Sequence, residues 1–264
     1  MSYETILFSV EEDVATIVLN RPERLNALNQ KMAEEMRDAI QKCADDPGVR
    51  AVVIKGAGRA FSSGGDLKAM KEAIEKEESA DFFKAPLRAI HELVLAIRNL
   101  PKPVLASING VAAGAGLNMA LACDLRIAAE SAKFTQAFVN VGLIPDASGT
   151  YFLPRLIGLA KATQLFFSGE IVDAHQAEKL GLVNKVVADD RLEEATWEWA
   201  TRLARGPTQA LGRMKELLNQ SLNADLKSQL KRERQAQQKS GETEDFIEGL
   251  RAFFEKREPR FQGR

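Results

Sequence analysis

Two glycine-bearing turns and one carboxylate are the parts of this 264-residue sequence whose residue types and spacing could do chemistry. The turns are Ser63-Gly64-Gly65-Asp66 and Ala113-Gly114-Ala115-Gly116, and the acid is Asp146, in Gly142-Leu143-Ile144-Pro145-Asp146. Each turn follows an apolar run that reads as a strand and opens a run that reads as a helix. The first amides of a helix have no intrahelical acceptor, so such a turn offers free N–H groups. Glycine lets a ligand come close to that backbone. Two amides converging on one oxygen would stabilise negative charge there, as in an oxyanion hole. Taken singly, each turn is an ordinary strand-to-helix connection; the pair is what points to a site. Asp146, ahead of Ala147-Ser148-Gly149, also has the sequence context of a helix N-cap or turn residue. A helix dipole there would lower its pKa, whereas burial against Phe138 and an apolar ligand would raise it.

The residues that are missing narrow the field further. The only histidines, His91 and His175, each fall inside a helical pattern, so no base stands beside a serine or cysteine nucleophile in any motif. There is no Gly-x-Ser-x-Gly elbow, and Cys43 and Cys123 are the only cysteines, with no Cys/His spacing for zinc. Gly114-Ala115-Gly116 looks like part of a dinucleotide fingerprint, but Met119 takes the place of the third glycine, and there is no Walker lysine. No metal and no separate cofactor is expected. The 36 Lys and Arg nearly cancel the 37 Asp and Glu, so no net field favours nucleic acid or a membrane surface. Two cysteines fit a reducing compartment. Residues 1–10 lack the basic start and apolar run of a signal peptide, and no apolar stretch is long enough to span a bilayer. A cytoplasmic protein is the expectation.

The elements that must hold these residues can be read in order. Residues 5–10 and 14–20 form a hairpin around Glu11-Glu12-Asp13, and Pro22 stops the second strand. Asn29 caps a helix running to about residue 44, with Met32, Met36, Ala39, Ile40 and Cys43 on one face. Residues 51–54 are a short, wholly apolar strand of the kind covered on both faces in a parallel sheet, and 104–108 and 125–129 read as further strands. Helices are expected over 67–73, 82–99 and 116–123, with a charged stretch reaching Ala80 between the first two. Beyond residue 151 helical patterns dominate (161–167, 174–180, 192–204, 208–220, 226–239 and 244–256), with one strand at 183–187. The recurrence of strand, loop and helix suggests stacked β-β-α units rather than a doubly wound sheet.

Several stretches together resemble the crotonase (enoyl-CoA hydratase/isomerase) superfamily. They are Arg21-Pro22-Glu23-Arg24-Leu25-Asn26-Ala27-Leu28, Phe61-Ser62-Ser63-Gly64-Gly65-Asp66-Leu67 and Pro103-Val104-Leu105-Ala106-Ser107-Ile108-Asn109-Gly110. Ala122-Cys123-Asp124-Leu125-Arg126-Ile127-Ala128 and the closing Phe253-Phe254-Glu255-Lys256-Arg257 extend the match over essentially the whole chain. The resemblance implies an α/β fold, a spiral of ββα repeats over residues 1–195 with a helical trimerisation region over 196–264. It also implies an acyl-CoA thioester as substrate and a homotrimer or dimer of trimers. Carried over by position, the amides of Gly65 and Ala115 would form the oxyanion hole. Arg24, Leu25 and Ala27 would line the CoA site, and Ser63, Asp66, Leu67 and Gly114 would be further substrate-binding positions. Phe253 and Lys256 would reach the CoA of a neighbouring subunit.

Two departures decide which chemistry the resemblance supports. The water-handling glutamates of the family's hydratases fall at Asn118 and Phe138, and neither an amide nor a phenyl ring can take a proton. Both are retained as substrate-facing positions, and Asp146 is left as the acid. In this the sequence looks like the ring-epoxide phenylacetyl-CoA isomerases (oxepin-CoA forming) and the enoyl-CoA isomerases. One carboxylate suffices when a proton leaves one carbon and returns to another on the same face. The rival expectations are an enoyl-CoA hydratase of fatty-acid or aromatic-acid oxidation in which Asp146 activates water, and a non-catalytic CoA-binding partner subunit.

Overall fold

The structure, a computed structural model, describes residues 3–77 and 82–264, so the charged stretch expected up to Ala80 lies partly outside the described residues. Strands β1 (Ile6–Glu11) and β2 (Val14–Leu19) form the expected antiparallel hairpin. From β2 onward the large sheet is parallel, adding β3 (Ala51–Gly56), β5 (Val104–Ile108), β7 (Leu125–Ala129) and β10 (Lys185–Val187) in that order. All five residues of β5 are buried, and all but Ser107 are apolar, as suits a strand covered on both faces. Helix α1 (Gln30–Asp45) starts where Asn29 accepts a hydrogen bond from the Met32 amide at 2.9 Å. It buries Met32, Met36, Ala39, Ile40 and Cys43, the face its sequence period marks out.

A second, four-stranded sheet contains β4 (Ala60–Ser62), β6 (Val111–Ala113), β8 (Lys133–Thr135) and β9 (Ile171–Asp173) in that order. Each of these strands has three residues, too short for any two-residue alternation to show in the sequence. They complete the repeats. β3 hands over to β4 and then α2 (Leu67–Glu75), with α3 (Lys84–Asn99) following, while β5 hands over to β6 and then α4 (Gly114–Ala122). Helix α4 is buried at every residue and begins two residues before the expected start at 116. It forms the centre of the molecule, apolar all round because no side of it meets water.

After β8 come a short 3-10 turn (Ala137–Val141), α5 (Gly149–Ile157), α6 (Leu159–Ser168) and α7 (Ala174–Lys179). Helix α5 has no clear helical signal in the sequence, because it opens on glycine and carries Pro154 inside. Helix α8 (Leu192–Ala204) seals the outer face of the large sheet, packing Leu192, Ala200 and Ala204 on Val14, Ala51, Val53, Leu105 and Ile127. The division anticipated at residues 195 and 196 thus falls inside α8, whose sequence serves the core. The tail continues as α9 (Thr208–Ser221), α10 (Leu226–Gly241) and α11 (Glu244–Glu255). Buried Lys215 pins α9 to the core through Asp124 at 2.8 Å and the Ile97 carbonyl at 2.8 Å. Helix α10 buries nothing, and Leu226 and Leu230 stand exposed. Among the described residues no helix is long and apolar enough to cross a membrane.

Candidate active site

The site grows from one edge of the small sheet. Ser62 at the end of β4 pairs with Ala112 of β6, and Ala113 pairs with Thr135 at the end of β8. The segments that follow these strands therefore leave the sheet side by side, one carrying Gly64 and Gly65, one Ala115, one Gln136. Gly65 precedes α2 and Ala115 lies in the first turn of α4, where amides lack an intrahelical acceptor. Neither N–H meets a protein acceptor among the described residues.

The loop ahead of α1 braces the first turn. The Leu28 amide donates to Gly64 O at 2.7 Å, and the Ser63 amide donates to Leu25 O at 2.9 Å. Leu25 and Asn26 both take left-handed backbone, with φ of 50° and 54°. Fully buried Asn26 pays for that bend: its Nδ2 donates to Ala57 O and Ala60 O at 2.8 Å each, and its Oδ1 accepts from the Arg21 amide at 3.0 Å. Ser62 Oγ closes the knot by donating to Asn26 O at 2.8 Å. Sequence reasoning missed Asn26 as a determinant, although an asparagine inside a turn, where it tolerates left-handed backbone, is the signal for one.

Asp66 caps α2 by accepting from the Ala69 amide at 3.2 Å and pairs with the Arg21 guanidinium at 2.8 Å. Burial pushes its carboxyl up, but Arg21 and the Ala69 amide outweigh that and hold it below the usual carboxylate range. Arg21 also donates to Ala27 O at 2.7 Å. Asp66 thus locks the Gly65 turn in place from the cavity wall.

Gly65, Ala115 and Asp146 line one cavity of about 460 Å³. Its other walls are mostly apolar: Leu28, Met70, Phe82, Phe83, Leu87 and Ile90. The sequence offered Gly65, Ala115 and Asp146 from three distant stretches, and the fold brings them together. The walls at Leu28 and at Pro86 to Ile90 were not singled out, because an apolar helix face carries the same signal whether it packs a core or a ligand.

Asp146 is no helix cap. Ser148 occupies the N-cap position of α5, and Asp146 meets that helix only through its carbonyl, which accepts from the Gly149 amide at 2.9 Å. Ala147 and Ser148 follow it with φ of 45° and 72°, two consecutive non-glycine residues in left-handed backbone. Such strain persists only where the surroundings impose it. They do so here: Asn118 Nδ2 donates to Asp146 O at 2.8 Å, and Gln136 Nε2 donates to Asn118 Oδ1 at 2.7 Å. The Asp146 carboxyl is left with a buried Oδ1 that has no hydrogen-bond partner. Burial pushes its pKa up from 3.8 to about 6, with His91 pulling it back only in part.

The remaining expected residues fall outside the cavity. Asn118, read as substrate-facing, is wholly buried and turned to the Asp146 backbone. Phe138 lies behind the second turn, where a Cβ on Gly114 would meet its ring at 3.5 Å. Ser63, Leu25 and Ala27 belong to the brace, while Arg24 and Leu67 are exposed beside it. Phe253 and Lys256 sit on and just after α11, both exposed, and within a single chain they do not reach the cavity. His91 and His175 are exposed on their helices, as the pattern suggested.

Solved structures share this architecture from end to end. An enoyl-CoA hydratase from Polaromonas sp. JS666 superposes with a TM-score of 0.93 at 33% identity, covering 97% of this chain and 99% of that one. The fold is therefore the crotonase spiral of ββα repeats with its C-terminal helical region. Among sequence relatives, a probable enoyl-CoA hydratase of Rhodobacter capsulatus is 43% identical over the full length of both chains. The 1,2-epoxyphenylacetyl-CoA isomerase of Escherichia coli K12 is 40% identical over 99% of both chains. The model of the enoyl-CoA hydratase/isomerase family matches residues 9–264, and this chain belongs to that family.

Proposed function

We propose that this chain is a CoA-thioester isomerase that moves a proton between two carbons of an enoyl-CoA or a ring-epoxide aryl-acetyl-CoA. The observation that carries the proposal is the Asp146 carboxyl, whose buried Oδ1 is unpartnered, in the same cavity as the free amides of Gly65 and Ala115. In this reading the thioester oxygen sits on the two amides. Asp146 takes a proton from the carbon next to the thioester, electrons flow to the carbonyl oxygen, and the amides stabilise the enolate. The same carboxyl returns the proton to the γ carbon, which shifts the double bond. A carboxyl with a pKa near 6 suits both steps at neutral pH better than one of 3.8. The Escherichia coli relative named as an isomerase supports the reading.

A 3-enoyl-CoA offered to the purified enzyme is expected to become the conjugated 2-enoyl-CoA, measured by its absorbance, at a rate that Asp146→Asn abolishes. Full activity in that variant would sink the proposal. The Rhodobacter relative's name favours a second reading, in which Asp146 activates water for hydration of a 2-enoyl-CoA. Asp146-dependent hydration of crotonyl-CoA, faster than isomerisation, would put that reading first. In either case we propose a homotrimer or dimer of trimers, with Phe253 and Lys256 serving the CoA of a neighbouring subunit. The side chains of Phe253 and Phe254, 77% and 75% exposed, support this.

A further inference from the structure

Among the described residues no other side chain hydrogen-bonds the Asp146 carboxyl, so its position is set through its backbone. Three observations describe that seat. Asn118 is 0% exposed, Gln136 is 1% exposed, and the two amides form a chain that ends on the Asp146 carbonyl. Asn118 stands three residues after Ala115 on α4, so one helix carries both an oxyanion amide and the group that grips the acid. Gln136 follows directly on β8, which pairs with the strand leading into that helix. On the far side Gly149 is pressed on Asn118, where a Cβ would stand 2.4 Å from Nδ2.

The chain has a direction. A carbonyl oxygen can only accept, so Asn118 must turn its NH₂ toward Asp146. Its oxygen then faces Gln136, which must turn its own NH₂ toward Asn118. With Nε2 so committed, Gln136 Oε1 is left buried and unpartnered. Burying a polar atom unsatisfied is costly, and a merely structural position would tolerate an apolar side chain there.

We propose that Gln136 is a positioning residue for proton transfer: it fixes the amide orientation of Asn118, and Asn118 in turn fixes Asp146 relative to the Ala115 amide. The inference rests on Asp146 being the acid–base group. It requires amides at both positions. A carboxylate at 136 would face Asn118 Oδ1, and a carboxylate at 118 would face the Asp146 carbonyl; both contacts are repulsive.

The test uses full-length protein and a 3-enoyl-CoA substrate, with folding of each variant checked by circular dichroism and thermal melting. Gln136→Leu is expected to lower kcat by about 10- to 100-fold, the scale of a misplacement near 1 Å, with KM changed less than threefold. Gln136→Glu is expected to be the worse of the two above pH 6. In an Asn118→Ala background, Gln136→Leu should cost less than threefold more, because its action passes through Asn118. A folded Gln136→Leu enzyme with wild-type kcat, or an undiminished effect of Gln136→Leu in the Asn118→Ala background, would overturn the inference. Asp146→Asn, run in parallel, separates the two failures: if it is fully active, the acid assignment is what fails.

Discussion

Gly64 lies so close to the carbonyl of Ala113 that a Cβ on it would stand 2.8 Å from that oxygen and 3.5 Å from the Ala115 nitrogen. The two turns are thus in direct contact, and the spacing of their amides is set by backbone touching backbone. Gly64 also has a φ of 94°, which only glycine adopts without strain.

Gly64→Ala is therefore expected to push the turns apart. The proposed isomerase activity should fall on the order of 10²-fold or more, as when an oxyanion donor is lost. Stability should drop by about 1–3 kcal/mol from backbone strain. Steady-state kinetics with a 3-enoyl-CoA and a urea titration check the two effects separately.

In the proposed isomerisation Asp146 must be ionised to take the first proton. With its pKa at about 6, kcat/KM should rise with pH up to an apparent pKa near 6 and then level off. A pH–rate profile whose acid limb falls near 4 instead would mean the carboxyl is well solvated in the free enzyme.

The same burial has a cost to stability, with a definite sign. The folded state holds a proton on Asp146 up to about pH 6, the unfolded state only to about 3.8. Between these values the native state binds more protons, so stability falls as pH rises. Asp146→Asn does not titrate, so it should be more stable than the wild type above pH 6, by up to about 3 kcal/mol. The difference should vanish near pH 4. Urea denaturation of both proteins at pH 4 and pH 7.5 measures it, and a gap that grows toward acid would contradict the assignment.

Arg21 and Asp66 are only 16% and 11% exposed at their side chains, so breaking the pair strands a charge in a poorly hydrated place. Arg21→Met should cost about 2–4 kcal/mol. It should also lower kcat, because Asp66 caps the helix that Gly65 precedes. The wild-type pair contributes stability above the unfolded pKa of Asp66 and loses it as pH falls through the lowered folded value. In Arg21→Met the folded pKa of Asp66 moves back up toward the unfolded value, so the acid-induced loss attributable to Asp66 should shrink, readable from melting temperatures between pH 3 and pH 6.

Phe82 and Phe83 meet edge to face at 5.4 Å and both line the cavity. Replacing either by Ala should raise KM for aromatic or medium-chain acyl groups by about tenfold, the worth of one to two kcal/mol of apolar contact. A four-carbon acyl chain should be turned over with little change. Equal losses on long and short substrates would show that the rings support the fold instead.

Much of this arrangement was legible in the sequence, and the gaps have physical causes. The parallel strands around Val53, Ala106 and Ile127 announce themselves because burial on both faces demands mostly apolar runs. The strands ending at Ser62, Ala113 and Thr135 do not, since three residues hold no period. The two glycine turns stood out because few residues adopt such backbone. Asp146 was ambiguous, since an aspartate after proline reads equally well as a cap, and the two are separated by Ser148 at the N-cap and the orphaned Asp146 oxygen. Asn118 and Gln136 carry no sequence signal for their grip on Asp146, which depends on two distant segments meeting.

The cavity walls come from α2, α3 and the approach to α1, whereas the polar groups at its floor come from the strand ends of the small sheet and the loop holding Asp146. The parts that recognise an acyl group and the parts that would act on it are therefore separate modules. Substitutions along 69–70 or 82–90 can retune chain length or ring size while leaving the floor intact. That separation is a route by which one scaffold acquires new substrates during evolution, and it marks these helices as the place to begin redesign.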